Sequence, residues 1–229
     1  MRRIRTVACM LAAALLAAAC GRPAAGDYFP LGKGAAWEYA ISYKVRGERH
    51  TQRLIFSNGD PVVVNDKRYY PRIGLSGKRE YFRRTDSGIL HVDPVSGKQS
   101  QVLKFPLKKG QTWQADSKIK VLEVTGAFTP TFRARIINPV TLTYRIEDSD
   151  DTVSVAAGTF RHCLRIRSRG SLFAGKTLQQ FMGINSIDID QTEWYAPGVG
   201  LVKTVRQEYT APGEFKNIYT RELVSYTSG

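Results

Sequence analysis

Apolar and polar residues alternate along most of this chain, which is the pattern of β-strands that bury one face. The alternation is clearest at residues 37–46, 140–147 and 160–167. Clusters of Gly, Pro, Asn, Asp and Ser are typical of turns and separate such segments, as at residues 57–61, 93–97, 147–151 and 196–198. One apolar and one polar face per strand favours antiparallel pairing. The pattern therefore predicts an all-β, mainly antiparallel fold, a curved sheet or half-barrel, with a short helix only at residues 177–185.

The chain contains one internal repeat of a short motif. The pattern F-P-L-x-K-G-x-x-W occurs at residues 29–37 and again 76 positions later (113 − 37), at residues 105–113. Each copy combines a Pro-Leu turn, a Gly bend and a Trp that opens a strand. The repeat predicts two similar β halves in one continuous sheet. The alternative is that two unrelated strands begin with the same kind of turn.

The N-terminus has the features of an export signal. Arg2, Arg3 and Arg5 precede an uncharged run at residues 7–19. This run is shorter than the roughly 20 residues that span a bilayer, but it fits a secretory signal that ends in small residues. The chain therefore divides into a signal peptide at residues 1–19, a tether at residues 20–27 and a single β-rich domain at residues 28–229.

The end of the signal, L-A-A-A-C-G at residues 16–21, resembles the lipobox of bacterial lipoproteins. The resemblance implies that Cys20 becomes the mature N-terminus and carries diacylglycerol and palmitate chains, which anchor the protein in a membrane facing the periplasm. Gly21 then implies the outer membrane of a diderm cell. Ala17 departs from the pattern, which more often has Leu there. The alternative is an ordinary cleavage site that releases a soluble protein.

Cysteine usage and charge agree with export. Once the signal containing Cys9 is removed and Cys20 is acylated, Cys163 is the only free thiol and no internal disulfide can form. The net charge of +14 falls to +11 when the three signal-peptide arginines are removed. Export excludes nucleic acid as a partner for this charge. The remaining polyanions are anionic membrane lipid, lipopolysaccharide and cell-wall polymers.

Two further segments resemble sequence signatures of a protein family. Residues 153–164 are similar to V-x-V-P-A-G-T-F-x-x-C, with Ala156 in place of the Pro, and residues 190–203 contain W-Y-A-P-G-V-G-L-V-K. Together with the opening Y-F-P-L-x-x-G-x-x-W-x-Y, they resemble a group of uncharacterised bacterial envelope lipoproteins with a domain of unknown function. The resemblance covers residues 28–226 and implies a curved antiparallel sheet and an envelope location. It implies no activity.

Arginines at spacing two form the most informative polar feature, because alternate residues of a strand share one face. The sequence predicts an anionic-partner face composed of Arg161, Arg165, Arg167, Arg169, Arg133 and Arg135. The predicted function is non-enzymatic binding or scaffolding of an anionic envelope component; the simpler alternative is a solubility feature. A second hypothesis is a carrier of lipid or another hydrophobic molecule, with an open apolar concavity lined by Tyr39, Tyr43, Phe132 and Tyr144.

Motifs that could support catalysis are weak, and no catalytic residue, cofactor or metal site is predicted. Residues 170–177 match G-x-x-x-x-G-K-T, but the long helix that a phosphate loop needs is missing, so a hairpin turn is favoured. His162 is expected to be a hydrogen-bonded core residue, and Cys163 a spectator thiol rather than a reactive one. Two acidic groups are interpreted as a solvated turn and an ordinary strand face, namely Asp148, Asp150 and Asp151, and Asp188, Asp190 and Glu193.

Overall fold

The structure is a computed structural model that describes residues 26–45, 48–120, 124–125, 133–134, 137–173, 176, 179–180, 183–210 and 216–229. The predicted signal peptide, Cys20 and most of the tether lie outside these residues, as do Arg135 and Phe132. For Arg133 the backbone is described and the side chain is not.

The elements of the described residues are β-strands. They are β1 (Ala36–Val45), β2 (Glu48–Asn58), β3 (Val62–Val64), β4 (Lys67–Gly74), β5 (Arg79–Thr85), β6 (Gly88–Val92), β7 (Gln99–Lys104), β8 (Thr112–Lys120), β9 (Val124–Thr125), β10 (Arg133–Ala134), β11 (Ile137–Val155), β12 (Gly158–Phe173), β13 (Ser186–Ala196), β14 (Gly200–Thr210) and β15 (Lys216–Thr227). β9 and β10 pair only with each other.

The remaining strands form one antiparallel sheet in the order β7-β6-β5-β4-β2-β1-β15-β14-β13-β12-β11-β8, and β3 pairs with β4 beside it. The two ends of this order, β7 and β8, lie next to each other. The Ser100 hydroxyl of β7 donates to the Asp116 carbonyl of β8 at 2.6 Å, and Lys98 Nζ contacts Asp116 Oδ2 at 2.7 Å. The sheet is therefore an almost closed barrel with one seam. The predicted all-β, antiparallel, curved fold is confirmed.

The repeated motif introduces each half of the barrel. Around the sheet the strands follow chain order from β1 to β7 and from β8 to β15, so two meanders of six strands join where β1 pairs with β15. One copy of the motif leads into β1 and the other into β8. Gly34 has a φ of 84° and the matching Gly110 a φ of 88°, a left-handed conformation that favours glycine. The two copies therefore share this glycine conformation before the first strand of each meander.

One end of the barrel, here called the base, is covered by residues 26–35. The backbone amide of Gly198 donates to the Asp27 carbonyl at 2.8 Å, and Arg84 forms an ion pair with the Asp27 carboxylate at 2.7 Å. The Tyr28 hydroxyl donates to the carbonyl of His162 at 2.9 Å. These contacts fix the first described residues to the base. The opposite end, here called the rim, carries the C-terminal ends of β1, β8, β12 and β14.

One cluster of the apolar core lies inside the barrel on the side of the base. It contains Phe29, Leu31, Phe82, Ile89, Leu103, Trp113, Ile146, Leu164 and Ile166. Ile89, Ile146 and Leu164 are fully buried, and each such side chain contributes about 1.5–3 kcal/mol to folding. A second cluster joins Trp37 and Leu223 to the tip of the β11–β12 hairpin, where the Ala157 amide donates to the Leu223 carbonyl at 3.1 Å.

Two local predictions differ from the structure. The turn predicted at residues 147–151 is wrong, because these residues lie within β11 and pair with β12 through several register shifts. The Asp148 carboxylate accepts the backbone amides of Ser149 and Asp150. This local bonding is also typical of turns, which explains the error. At the predicted short helix, helical backbone is described at Lys176, Gln179 and Gln180.

Candidate functional site

Polar side chains occupy the inner face of β14, where a core strand would ordinarily be apolar. Burial alternates strictly along β14. The inward positions begin with Val202 and continue with Thr204, Arg206, Glu208 and Thr210, all of which are buried. The Arg206 guanidinium donates through Nε to Glu208 Oε1 at 2.9 Å, so these two charges compensate each other.

The polar face continues across the neighbouring strands. Glu193 of β13 lies opposite Thr204, and Thr204 lies opposite Arg221 of β15. Because paired strands lie about 5 Å apart, about 10 Å separates the Cα atoms of Glu193 and Arg221. Other members follow from the same registers, and we call the whole set the inner band: Ser168, Gln191, Glu193, Thr204, Arg206, Glu208, Asn217, Tyr219 and Arg221.

Arg221 has no ion-pair or hydrogen-bond partner among the described residues. Its Nε atom is buried and unbonded. The guanidinium carbon lies 5.7 Å from the centroid of the Tyr39 ring, a weak cation–π contact. A buried cation without a partner costs free energy, because it loses its hydration without compensation. Arg221 is therefore the least compensated charge of the inner band.

Glu193 belongs to the same inner face and lies opposite Thr204. Its carboxylate accepts a hydrogen bond from the Tyr195 hydroxyl at 3.1 Å. Burial raises the pKa of Glu193, and the charge of Arg221 opposes that rise only in part. Both Glu193 and Arg221 lie deep within the protein, yet each keeps part of its surface accessible to solvent.

Further polar atoms of the inner band are buried without hydrogen bonds. They are Ser168 Oγ, Thr204 Oγ1, and both Nδ2 and Oδ1 of Asn217. Most buried polar atoms in folded proteins have a partner, since leaving one unpaired costs about 1–3 kcal/mol. These atoms have almost no accessible surface, so the surrounding protein encloses them without supplying a hydrogen bond.

A second interior arginine, Arg72, has its charge compensated by hydrogen bonds and by contacts with aromatic rings. Its Nε donates to Asn58 Oδ1 and its Nη2 to the Pro30 carbonyl, both at 3.1 Å. Burial lowers the pKa of Arg72 to about 10, which leaves it charged at neutral pH. Its guanidinium carbon also lies 4.5, 4.3 and 5.1 Å from the ring centroids of Phe29, Trp37 and Phe82.

The aromatic rings near the inner band already have partners. Tyr144 stacks on Trp113 with centroids 5.2 Å apart, and Arg206 lies 4.6 Å from the centroid of Tyr219. Of the residues expected to line an apolar concavity, Tyr39 is buried and donates to the Leu201 carbonyl at 2.9 Å. Tyr43 stacks on His50 with centroids 5.6 Å apart. Each of these described side chains has a partner within the protein, and the role of a lipid carrier stays a prediction.

The arginine ladder of β12 lies on the outer face, beside carboxylates of β11 and β13. Arg165 pairs with Asp151 at 2.8 Å. Arg167 holds Asp190 through two hydrogen bonds of 2.7 and 2.6 Å, an arrangement that gives strong charge-assisted bonds. These bonds lower the pKa of Asp190. Two arginines predicted to contact an anionic partner are thus engaged within the sheet.

The other ladder residues are more available. Arg161 and Arg169 are exposed, although Arg169 Nε also reaches Asp190 Oδ2 at 3.1 Å. Arg133 lies in β10, away from the main sheet. An anionic partner that binds the outer face of β12 stays a prediction.

A bulge in β12 changes the environment of two predicted residues. His162 has a φ of 56° and its side chain is 74% exposed, with Nδ1 at 2.5 Å from Asp150. The expectation of a core histidine is wrong. Cys163, in contrast, is fully buried. Burial raises the pKa of its thiol to about 11, so the thiol is protonated at neutral pH and behaves as an apolar core group.

The remaining motifs do not form catalytic geometry within the described residues. Residues 170–173 of the phosphate-loop match belong to β12, in an antiparallel sheet, and of the G-K-T portion only Lys176 is described. Asp190 points outward and Glu193 inward, so these two acids do not act together. No described group of three or more His, Cys, Asp and Glu could hold a metal ion. No helix within the described residues is long and apolar enough to span a membrane.

The inner band was not identified from sequence. Its signal is a strand whose apolar positions are continued at spacing two by polar residues, as in β13, where Ile187 and Ile189 are followed by Gln191 and Glu193. From the sequence alone, this pattern indicates that the strand exchanges its buried face for its exposed one. Only the pairing of β13 with β14 and β15 shows that the polar residues stay inside.

No family model and no curated protein matches this chain. Two solved structures are similar over 87% of this chain and 98% of their own. One, from Bacteroides fragilis, is described as an exported protein with a YmcC-like fold, at 14% identity and a TM-score of 0.43. The other, from Parabacteroides distasonis, is described as a lipoprotein, at 13% identity and a TM-score of 0.42. The family indicated by the sequence signatures stays a prediction.

Proposed function

We propose that this chain is a lipid-anchored protein of the bacterial envelope that binds an anionic envelope component inside its barrel and does not react with it. The signal at residues 1–19 and the lipobox at Cys20 support export and acylation. Gly21 supports delivery to the outer membrane, facing the periplasm. Binding without chemistry is proposed because the sequence offers no strong catalytic motif, and no described group of His, Cys, Asp and Glu could hold a metal ion.

The observation that carries the proposal is Arg221. It is an interior guanidinium without a bonding partner among the described residues, beside further unpaired polar atoms of the inner band. An anion that bonds Arg221 would recover free energy that the protein alone forgoes. The outer ladder offers less, because Arg165 and Arg167 already bond carboxylates. The inner band is therefore the better candidate for binding the anion.

The test is native mass spectrometry of the full lipidated protein, purified from envelopes in mild detergent and measured again after denaturation. We expect a non-covalent anionic species in addition to the acylated polypeptide. Arg221→Met should lose it, since the variant keeps the length of the side chain and removes its charge.

A double variant of the exposed outer arginines, Arg161→Ser with Arg169→Ser, separates the two surfaces. It should retain the bound species if binding is internal. Loss of the species in the outer variant, with retention in Arg221→Met, would move the binding site to the outer face and reject the internal one. Wild-type protein that carries no bound species would also contradict the proposal.

A further inference from the structure

The β3–β4 hairpin extends past the base of the barrel. β2 ends at the base, where Asn58 Nδ2 donates to the carbonyls of Pro30 and Gly32 at 3.1 and 3.0 Å. Asn58 lies opposite Arg72 of β4. The first residue of β4 precedes Arg72 by five positions (72 − 67), which corresponds to about 17 Å along the strand. The hairpin therefore projects from the end of the barrel to which the tether leads.

The hairpin is a preformed structure. Val62, Val63 and Val64 pair in register with residues 67–69. The two turn residues, Asn65 and Asp66, have φ angles of 49° and 58°. Positive φ at both central residues is typical of the tight turn whose twist matches that of the flanking strands. A partner would therefore meet a fixed surface and would not have to order it.

The three valines of β3 are exposed on both faces of the hairpin. Their exposed fractions are 39%, 64% and 54% in chain order. Successive residues of a strand point to opposite faces, so the hairpin buries neither face against the barrel. A run of exposed apolar residues has no role in the core of the protein and indicates a partner with an apolar part.

The second strand of the hairpin adds positive charge to this apolar surface. Lys67 and Arg68 are exposed and lie opposite two of the valines. Asp66 in the turn offsets one of them, which leaves residues 62–69 with a net charge of +1 (2 − 1). Apolar side chains beside Lys and Arg are typical of segments that lie in the interface of a membrane. The cations are attracted by anionic headgroups.

The tether places a membrane within reach of the hairpin. Residues 21–27 extend at most about 25 Å from the acylated Cys20. Asp27 is fixed to the base by its ion pair with Arg84 at 2.7 Å. The hairpin projects from the same end by a comparable length. A bilayer that holds the acyl chains would therefore lie where the hairpin can touch it.

We infer that the β3–β4 hairpin rests on the anionic membrane that holds the lipid anchor, with its valines among the headgroups and Lys67 and Arg68 on the lipid phosphates. This inference rests on the anchor of the proposed function and adds a second contact between protein and membrane. It fixes the direction of the barrel axis, which a flexible tether alone would leave free. It does not involve the inner band.

Fluorescence of one labelled cysteine tests the contact in the full acylated protein. Val63→Cys in a Cys163→Ala background supplies a single free thiol, which is labelled with the environment-sensitive dye NBD. The protein is reconstituted in vesicles of phosphatidylethanolamine and phosphatidylglycerol with brominated acyl chains. We expect the emission of the probe at position 63 to shift to shorter wavelength, and the bromine to quench it.

Val95→Cys, labelled in the same way, is the matched control. Val95 is 95% exposed and lies in the turn after β6. Ile89 of β6 pairs with Arg84, which contacts the base, so this turn lies at the far end of the strand. The probe at position 95 should keep the emission of a dye in water and should not be quenched.

Arg68→Ser tests the part played by charge. It should lower the ratio of quenched to unquenched probe at position 63 by about 5-fold, the contribution of one cation near an anionic surface. Vesicles of phosphatidylcholine should lower the ratio as well. Arg49→Ser is the control, because Arg49 is an exposed arginine at the other end of β2, and it should leave the ratio unchanged.

Flotation of the same samples separates this inference from the proposed function. Protein that does not float with the vesicles would contradict the lipid anchor. Protein that floats while its probe at position 63 stays unquenched would overturn the hairpin contact and leave the anchor standing. A shifted emission that depends on protein concentration and is not quenched by brominated lipid would assign the hairpin to a second copy of this chain, and it would also overturn the inference.

Discussion

At the scale of single residues, the interior of this barrel contains two arginines in opposite situations. Arg72 donates two hydrogen bonds and lies against three aromatic rings. Arg221 has one weak ring contact and a buried, unbonded Nε. The difference is that between a compensated charge and an uncompensated one, since a protein gains no stability by burying an arginine without partners.

This contrast predicts that replacing arginine by methionine lowers the free energy of unfolding by different amounts at the two positions. Arg72→Met should lower the free energy of unfolding by at least about 2 kcal/mol more than Arg221→Met, because only Arg72→Met removes hydrogen bonds to a charged group. Urea denaturation of the two variants and of the wild type, followed by tryptophan fluorescence, measures the difference. Equal destabilisation would mean that Arg221 also has a structural role, and it would weaken the case for a binding residue.

Cys163 shows why the burial of a single residue is harder to predict from sequence than the alternation of the two faces of a strand. Strict alternation along β12 would place Cys163 outward with Arg161 and Arg165. The positive φ of His162 inserts an irregularity, so that Cys163 and Leu164 are both fully buried. The bulge is a property of the β11–β12 pairing, which shifts register three times. Nothing in the local sequence of β12 predicts it.

At the scale of elements, the long β11–β12 hairpin explains the glycine that begins the phosphate-loop match. A Cβ on Gly170 would lie 2.6 Å from the Thr141 carbonyl oxygen and 2.7 Å from Leu142 Cδ2. A strand glycine at such a close approach is a packing requirement. This residue of the motif therefore serves the packing of the sheet.

Gly170→Ala should consequently destabilise the fold by about 1–3 kcal/mol, because backbone atoms must move to admit the methyl group. Gly32→Ala is the control, since a Cβ there meets nothing within 4 Å, and its effect should stay within about 0.5 kcal/mol. Thermal and urea unfolding of both variants give the comparison. A neutral Gly170→Ala would show that the hairpin is less tightly paired than described.

Element-level prediction succeeded where a single strand contains the information. Alternation marks β1, β11 and β12, and the repeated motif marks the starts of β1 and β8. Prediction failed where the pairing between strands decides which residues lie together. The inner band is polar on every strand that contributes to it, and only the registers of β12 to β15 place those residues together. Period-two patterning cannot distinguish a polar interior from a polar exterior.

At the scale of the whole molecule, the tether and the barrel define an orientation. Residues 21–27 extend at most about 25 Å, and Asp27 is fixed to the base by Arg84 and Gly198. An anchored molecule would therefore hold its base near the membrane, with the rim pointing away. β14 has 11 residues and runs from the base to the rim, a strand length of about 35 Å. The inner band would then lie well above the lipid headgroups.

The orientation depends on acylation of Cys20, which metabolic labelling with an alkyne analogue of palmitate can test. The wild-type protein should incorporate the label and fractionate with membranes, because several acyl chains give stable anchoring. Cys20→Ser should remove both the label and the membrane association. Cys163→Ala is the matched control, since Cys163 is buried in the folded protein, and it should be labelled like the wild type. Label that persists in Cys20→Ser, or unlabelled wild-type protein, would contradict the anchor and with it the placement of the base at the membrane.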